Sequence, residues 1–419
     1  MKNLHAAIPP AAAGDTEWPN RRTLTGMARA LHPGRETTMT PDPVPLAPGA
    51  TNGGPPAGPS LRVLVTGGAG YVGSHVAWAL AESGHAVTVF DDLSEGHRRA
   101  VQGLPLVKGD ILDGRALDRA LAQSRAEAVV HMAAKCLVGE SVTRPDLYWR
   151  HNVIGSLTVL AAMQRASVPL IVFSSSAAVY GEPDEAVIDE TAPRRPCNPY
   201  GRTKLVFEEA LAEHAAAGLV QYVALRYFNA AGARAGGFGE QHAVETHLLP
   251  NLLTAALSRG QRPLQVFGTD YPTPDGTAVR DYVHVEDLAA AHVRALCYLS
   301  TGGASTAVNL GTGRGHSIRE VLVAARAVTG RAFPSEDAPR RPGDPARLVA
   351  SNALARAVLG WRPTRSLEEI IASAWRWHSR RAAARRRAAR DVAAPASPVR
   401  AVPMSAERRA RRRGRPAAA

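Results

Sequence analysis

Lysine is nearly absent from this chain. Of 50 basic residues other than histidine, only Lys2, Lys108, Lys135 and Lys204 are lysines. Almost every positive charge is an arginine, so each lysine calls for its own reason. Cysteine is as scarce: Cys136, Cys197 and Cys297 are far apart, odd in number and without metal-ligand spacing. That excludes a disulfide framework, gives no metal site, and suits reduced thiols. No window supplies the roughly 18 apolar residues of a membrane span. The N-terminus lacks the apolar core of a secretory signal. The expectation is a cytoplasmic protein with no membrane partner. Acidic residues are nearly missing from 379–419, where 13 arginines face only Asp391 and Glu407. That segment carries +11 of the chain's +13, which leaves +2 for residues 1–378.

The 419 residues suffice for two domains, or for one large α/β unit with a substrate lobe. Residues 1–60, rich in Pro, Ala and Gly ("PDPVPLAPGATNGGPPAGPS"), show no periodicity and read as a disordered extension. At Leu61 the character changes: "LRVLVTGGAGYVGSHVAWALAESGHAVTVFDDL" reads strand, Gly-rich turn, helix, strand. Apolar runs recur at "AVVHMAA" (128–134), "PLIVFSSS" (169–176) and "YVALRYFN" (222–229), with helical patterns between them. Strands alternating with helices predict a Rossmann-type doubly wound parallel sheet over 61–240. Residues 241–378 are more irregular, with Pro-rich loops such as "TDYPTPDG" (269–276). They predict a smaller, mainly substrate-binding lobe with segments returning to the core. Residues 379–419 read as a disordered Arg/Ala tail.

"VTGGAGYVG" places Gly67, Gly70 and Gly73 three apart, directly after a strand and opening a helix. Such glycines permit a tight turn and bring unpaired helix N–H groups against a pyrophosphate. The next strand ends at Asp91, which can accept hydrogen bonds from an adenosine ribose. A 2′-phosphate at about 4 Å from that carboxylate would be repelled by roughly 4 kcal/mol at an effective dielectric of about 20. The cofactor expected is NAD rather than NADP.

With the later Tyr200-x-x-x-Lys204, this pattern resembles the extended short-chain dehydrogenase/reductase family. Within it, "FSSSAAVYGEP" (173–183), "LRYFNAAGA" (225–233) and above all "VFGTDYPTPDGTAVRDYVHVEDLAAAHV" (266–293) resemble the UDP-glucose 4-epimerases. The resemblance covers about 61–378. It implies that Tyr71, Val72, Asp91, Asp92, Asp110, Ile111, Met132, Ala133, Asn152 and Phe228 join the glycines around NAD. It implies a UDP-hexose held by Asn229, His247, Phe267, Arg280, Tyr282, Arg341, Asp344 and Leu348. It implies Ser176, Tyr200 and Lys204 as the catalytic set, and a homodimer through the helical stretches 146–165 and 199–216. Many members carry a Lys that reaches the cofactor where this sequence has Cys136, with Lys135 one position earlier. Strand alternation points those two side chains differently.

The lysine at 204 then finds its reason. Tyr200 and Lys204, four apart on a helix, share a face. A tyrosine with a pKa of about 10 is a poor base near neutrality, and an adjacent ammonium is expected to lower it. A compact ammonium can also donate to both hydroxyls of a nicotinamide ribose, which a planar guanidinium fork does less well. By resemblance, Ser176 and Tyr200 take the proton from the sugar's 4-hydroxyl while hydride passes to NAD. The 4-keto sugar then turns over and is reduced on its other face.

Two groups of rivals stay open. Nucleotide-sugar 4,6-dehydratases carry a carboxylate where this chain has Ser175-Ser176-Ala177-Ala178, which argues against elimination. A related epimerase or decarboxylase acting on UDP-N-acetylglucosamine or a UDP-uronate remains an alternative. The tail raises a reading of another class, nucleic-acid binding, since "RRRGRP" (411–416) resembles an AT-hook core.

Overall fold

The computed structural model describes residues 58–393 apart from 243, 259, 260, 262 and 342. Strand β1 (Arg62–Thr66) is buried over all but its first residue. It leads through the Gly-rich turn into α1 (Tyr71–Glu82) and back to β2 (Ala86–Asp91). The unit repeats through β3 (Leu106–Lys108), α2 (Gly114–Ser124) and β4 (Ala128–His131). After β4 the chain forms short helices α3 (Val138–Thr143) and α4 (Pro145–Tyr148), then a π-helical stretch, Trp149–Gly155, that runs into α5 (Ser156–Arg165). Strand β5 (Leu170–Ser176), α6 (Pro199–Ala216) and β6 (Gln221–Tyr227) follow.

Seven strands form one parallel sheet in the order β11-β6-β5-β4-β1-β2-β3, where β11 (Thr306–Leu310) arrives from the second half of the chain. Strand order reverses between β1 and β4, and the crevice beyond that point is where such sheets hold their ligands. Alternation along β1 sends Val63 and Val65 into one core layer and Leu64 into the other. The first layer is closed by α1 and α8 (Val285–Ser300), the second by α2, α5 and α6.

Short pairs complete the second half: β7 (Asn229–Ala231) with β10 (Tyr282–His284), and β9 (Val279–Arg280) with β12 (His316–Ser317) and β14 (Arg347–Leu348). Strand β8 (Leu264–Phe267) pairs with β13 (Ser335–Ala338). A third core joins α7 (Leu248–Leu257), α9 (Ile318–Thr329) and α11 (Leu367–Ala393), which follows α10 (Ala353–Leu359). β11 lies in the main sheet and α8 packs on it, so residues of 241–378 share the first core with 61–240.

One expectation is corrected. Helix α11 spans Leu367–Ala393, so the chain stays helical well past 378, where the disordered tail was expected to start. Packing of Leu367, Ile370 and Ile371 into the third core nucleates the helix, and Ala and Arg, both strong helix formers, propagate it. The 1–57 part of the N-terminal extension and residues 394–419 lie outside the described residues.

Candidate active site

At two positions of the Gly-rich turn only glycine fits. Gly67 has φ +69°, and a Cβ there would lie 2.5 Å from the Ala133 nitrogen. At Gly73 a Cβ would lie 2.1 Å from the Gly67 carbonyl oxygen. Gly70, the N-cap of α1, supplies no side-chain cap, and a Cβ on it would meet protein only at the Gly67 oxygen, 3.3 Å away. The first N–H groups of α1 therefore face an open side with no protein oxygen capping them, which fits a pyrophosphate. Tyr71 turns its hydroxyl away, to the Gly232 carbonyl at 2.7 Å, and Val72 is half-buried beside it.

Beyond the strand ends, buried Asp91 accepts the Ala69 N–H at 2.9 Å and the Leu93 N–H at 2.8 Å. Burial raises its pKa. Asp92 and Asp110 accept the N–H groups of Ser94 and Leu112, and Ile111 is buried after them. Met132 and Ala133 leave β4 next to Gly67, with the Tyr227 hydroxyl 3.7 Å from the Met132 sulfur. Asn152, in the π-helical stretch, spends its amide on both backbone groups of Lys135 and on the Thr203 hydroxyl, at 2.8–3.1 Å. It fixes the exit of β4 against α6.

Ser176, the last residue of β5, accepts the Ala178 N–H at 3.2 Å and hydrogen-bonds Tyr200. Helix α6 is capped by Asn198, which accepts the Gly201 N–H at 2.9 Å, with Pro199 at its first turn. At Gly201 a Cβ would lie 2.2 Å from the Ala178 oxygen, so glycine lets the helix pass close enough to bring Tyr200 to Ser176. Lys204 is 3% exposed. Its Nζ donates to the Ser174 carbonyl at 2.7 Å and lies 5.8 Å from the centre of the Tyr200 ring.

The electrostatics correct the simple ammonium argument. Burial pushes the Tyr200 phenol above its ordinary range, Cys136 adds to that, and only the hydrogen bond with Ser176 opposes them. Burial likewise pulls Lys204 down to about 8. Desolvation is the dominant influence on both groups.

Cys136 was noted in the sequence only for the lysine it replaces, yet it stands at this centre. It is an electrostatic neighbour of Tyr200, Lys204, His242 and His247. Lys135 turns the other way, to Glu95 at 3.1 Å. Sequence reasoning named His247 but missed the acids and the second imidazole gathered around it. Glu240, His242, Glu245 and His247 bring one ligand atom each within 4.8 Å of one another. Burial lowers the His242 pKa, but hydrogen bonds to Cys136 and Glu245 outweigh it and raise it to about 11. Burial is likewise outweighed at His247 by the Glu240 carboxylate, 2.6 Å away, which raises it to about 9. Both imidazoles are thus cationic near neutrality, and a metal ion would have to displace those protons.

At the far end Arg280, on β9, is nearly buried and donates to Asp344 and to the carbonyl of Pro345. The register of β14 on β9 sets Leu348 opposite Arg280. Leu348 packs against the cluster that contains Phe228 and Tyr180. The Arg341 guanidinium lies 3.9 Å over the Phe267 ring. Asn229 sits on β7, and Tyr282, beside it on β10, buries its ring in the third core.

Residues 63–311 match the model of the NAD dependent epimerase/dehydratase family. A UDP-glucose 4-epimerase of Rhizobium leguminosarum bv. trifolii is 52% identical over 319 residues, 76% of this chain and 97% of the relative. The crystal structure of UDP-glucose 4-epimerase from Brucella ovis in complex with NAD is 48% identical, with TM-score 0.73 over 76% of this chain and 98% of that one. The enzyme from Stenotrophomonas maltophila, with bound NAD and formylated UDP-arabinopyranose, is 42% identical, with TM-score 0.74 over 77% and 99%. Its sequence and its sheet place this chain in the NAD dependent epimerase/dehydratase family, among the UDP-glucose 4-epimerases.

Proposed function

We infer that this chain interconverts UDP-glucose and UDP-galactose, with NAD as cofactor. The observation that carries the reading is the convergence of Ser176, Tyr200 and Lys204 at the carboxyl end of β5, the same end of the parallel sheet at which the Gly-rich turn leaves β1. Bound NAD would supply a reversible hydride acceptor for sugar C4. The chain's residues bind, orient and move protons. Tyr200 takes the 4-hydroxyl proton, Ser176 bridges phenol and sugar, and buried Lys204 supplies the positive charge that favours the phenolate. The imidazolium of His247, with Arg280 and Arg341, suits the diphosphate. Incubating the purified protein with UDP-galactose and no added NAD should yield UDP-glucose. No conversion even with NAD supplied would overturn the reading.

Substrate breadth turns on Leu348. By the family resemblance, a tyrosine at this position narrows the space beside the sugar's 2-substituent, and leucine leaves more room. We expect measurable turnover of UDP-N-acetylglucosamine, with Leu348→Tyr lowering it several-fold relative to UDP-galactose. A ratio unchanged by the substitution, measured with both sugars, would remove Leu348 from the specificity pocket.

The same reading includes a homodimer. Trp149, Ile154 and Leu157, on the stretch expected at the interface, are 38%, 57% and 39% exposed, an apolar surface that a second copy would cover. A monomer in sedimentation at micromolar concentration would exclude it. No helix among the described residues is long and apolar enough to cross a membrane. The few separated thiols suit the reducing cytoplasm.

A further inference from the structure

A second concave site lies apart from the glycine cradle and the Tyr200 centre. It is a cleft of about 1000 Å³ between one face of α1, the turn around Arg99, the loop 233–238 and helix α11. None of Gly67, Gly70, Gly73, Tyr200 or Lys204 lines it. Five arginines do: Arg99, Arg234, Arg376, Arg380 and Arg381. Glu82 is the one carboxylate on the wall, and Arg234 takes it as an ion-pair partner. Five cations against one anion leave the cleft at +4.

The other four arginines have no ion pair among the described residues. Arg99 donates only to the Gln241 amide oxygen and lies 5.4 Å over the Phe238 ring. Arg381 lies 5.3 Å over Trp377. Burial, with repulsion from Arg385 and Arg99, pulls it down to about 10. Like charges gathered from two separate chain segments without counter-charges raise the free energy of the fold, and an anion placed among them lowers it. Guanidinium groups match phosphate oxygens in bidentate fashion, and the volume is at the upper end of small-molecule sites, about 300–1,000 Å³.

We propose that this cleft binds a polyphosphate anion with the charge of a nucleoside triphosphate. Four chain segments enclose it, which favours a compact ligand over a nucleic-acid duplex lying along the surface. Three of its arginines stand on α11, beyond residue 311 where the family match ends.

The test uses the full-length protein and follows binding by calorimetry and Trp377 fluorescence, with ATP and with inorganic triphosphate as separate probes. Saturable one-to-one binding is expected, weakened at least about tenfold by the triple change Arg376→Ala, Arg380→Ala, Arg381→Ala. Epimerase turnover and bound NAD should be unaffected. Arg99→Ala, from a different segment, should weaken it independently. Equal affinity for the two probes assigns recognition to the phosphates, and tighter ATP binding adds the base against the aromatic wall; either supports the site. No saturable binding at millimolar ligand, or affinities unchanged in both variants, overturns it. So does duplex DNA binding that triphosphate fails to displace.

Discussion

Tyr200→Phe should lower kcat by about 10³-fold, within the roughly 10²–10⁴ supplied by a positioned acid–base group, while the purified protein keeps its NAD. The substitution removes one hydroxyl from a buried ring and leaves the packing intact, so loss of cofactor would point to a binding role instead. Lys204→Arg keeps the charge and should still cost about 10²-fold, because the ammonium fits a buried slot under the Ser174 carbonyl that a guanidinium fork overfills. Near wild-type activity in Lys204→Arg would defeat the geometric reason for lysine. The pH profile gives a further check. Burial sets Lys204 at about 8, so the ammonium is present below that pH and lost above it. Turnover should fall as pH rises through about 8. The residual activity of Lys204→Arg should lack this limb, because arginine stays charged.

Local features of the site were legible in the sequence, and long-range ones were not. The shared face of Tyr200 and Lys204 follows from helical spacing alone, and the glycine turn from three glycines after an apolar strand. Cys136 was visible only as a departure from a family pattern. Its electrostatic influence on Tyr200 depends on how the exit of β4 is pinned by Asn152, a residue of a π-helical stretch that no periodicity announces. The cationic state of His242 and His247 requires a loop to fold Glu240 and Glu245 against them. The arginines after 378 misled for a related reason: composition signalled a charged tail, whereas the anchored start of α11 carries the helix forward through them.

The same limit hid the strongest buried charge pair. Glu208 on α6 and Arg226 on β6 are 3% and 4% exposed at their side chains and 2.6 Å apart. Ser175 donates to the same carboxylate at 2.5 Å. Arg226 also reaches the Tyr180 hydroxyl at 2.8 Å, and Tyr180 donates to Asn309 on β11 at 2.7 Å. A carboxylate thus does lie beside the serines of β5, where the local sequence, residues 174–178, has none. Its bidentate arginine holds it as a structural anion and leaves no free base for elimination. Glu208→Ala should destabilise the protein by about 3–5 kcal/mol, since Arg226 would remain buried, charged and unpaired. Replacing both partners, Glu208→Leu with Arg226→Met, should cost much less, because the burial of charge is removed with its partner. Denaturant unfolding of the two single variants and the double variant gives the comparison, read from midpoints at constant slope. A double variant as unstable as the sum of the singles would mean that the pair serves packing and not charge neutralisation.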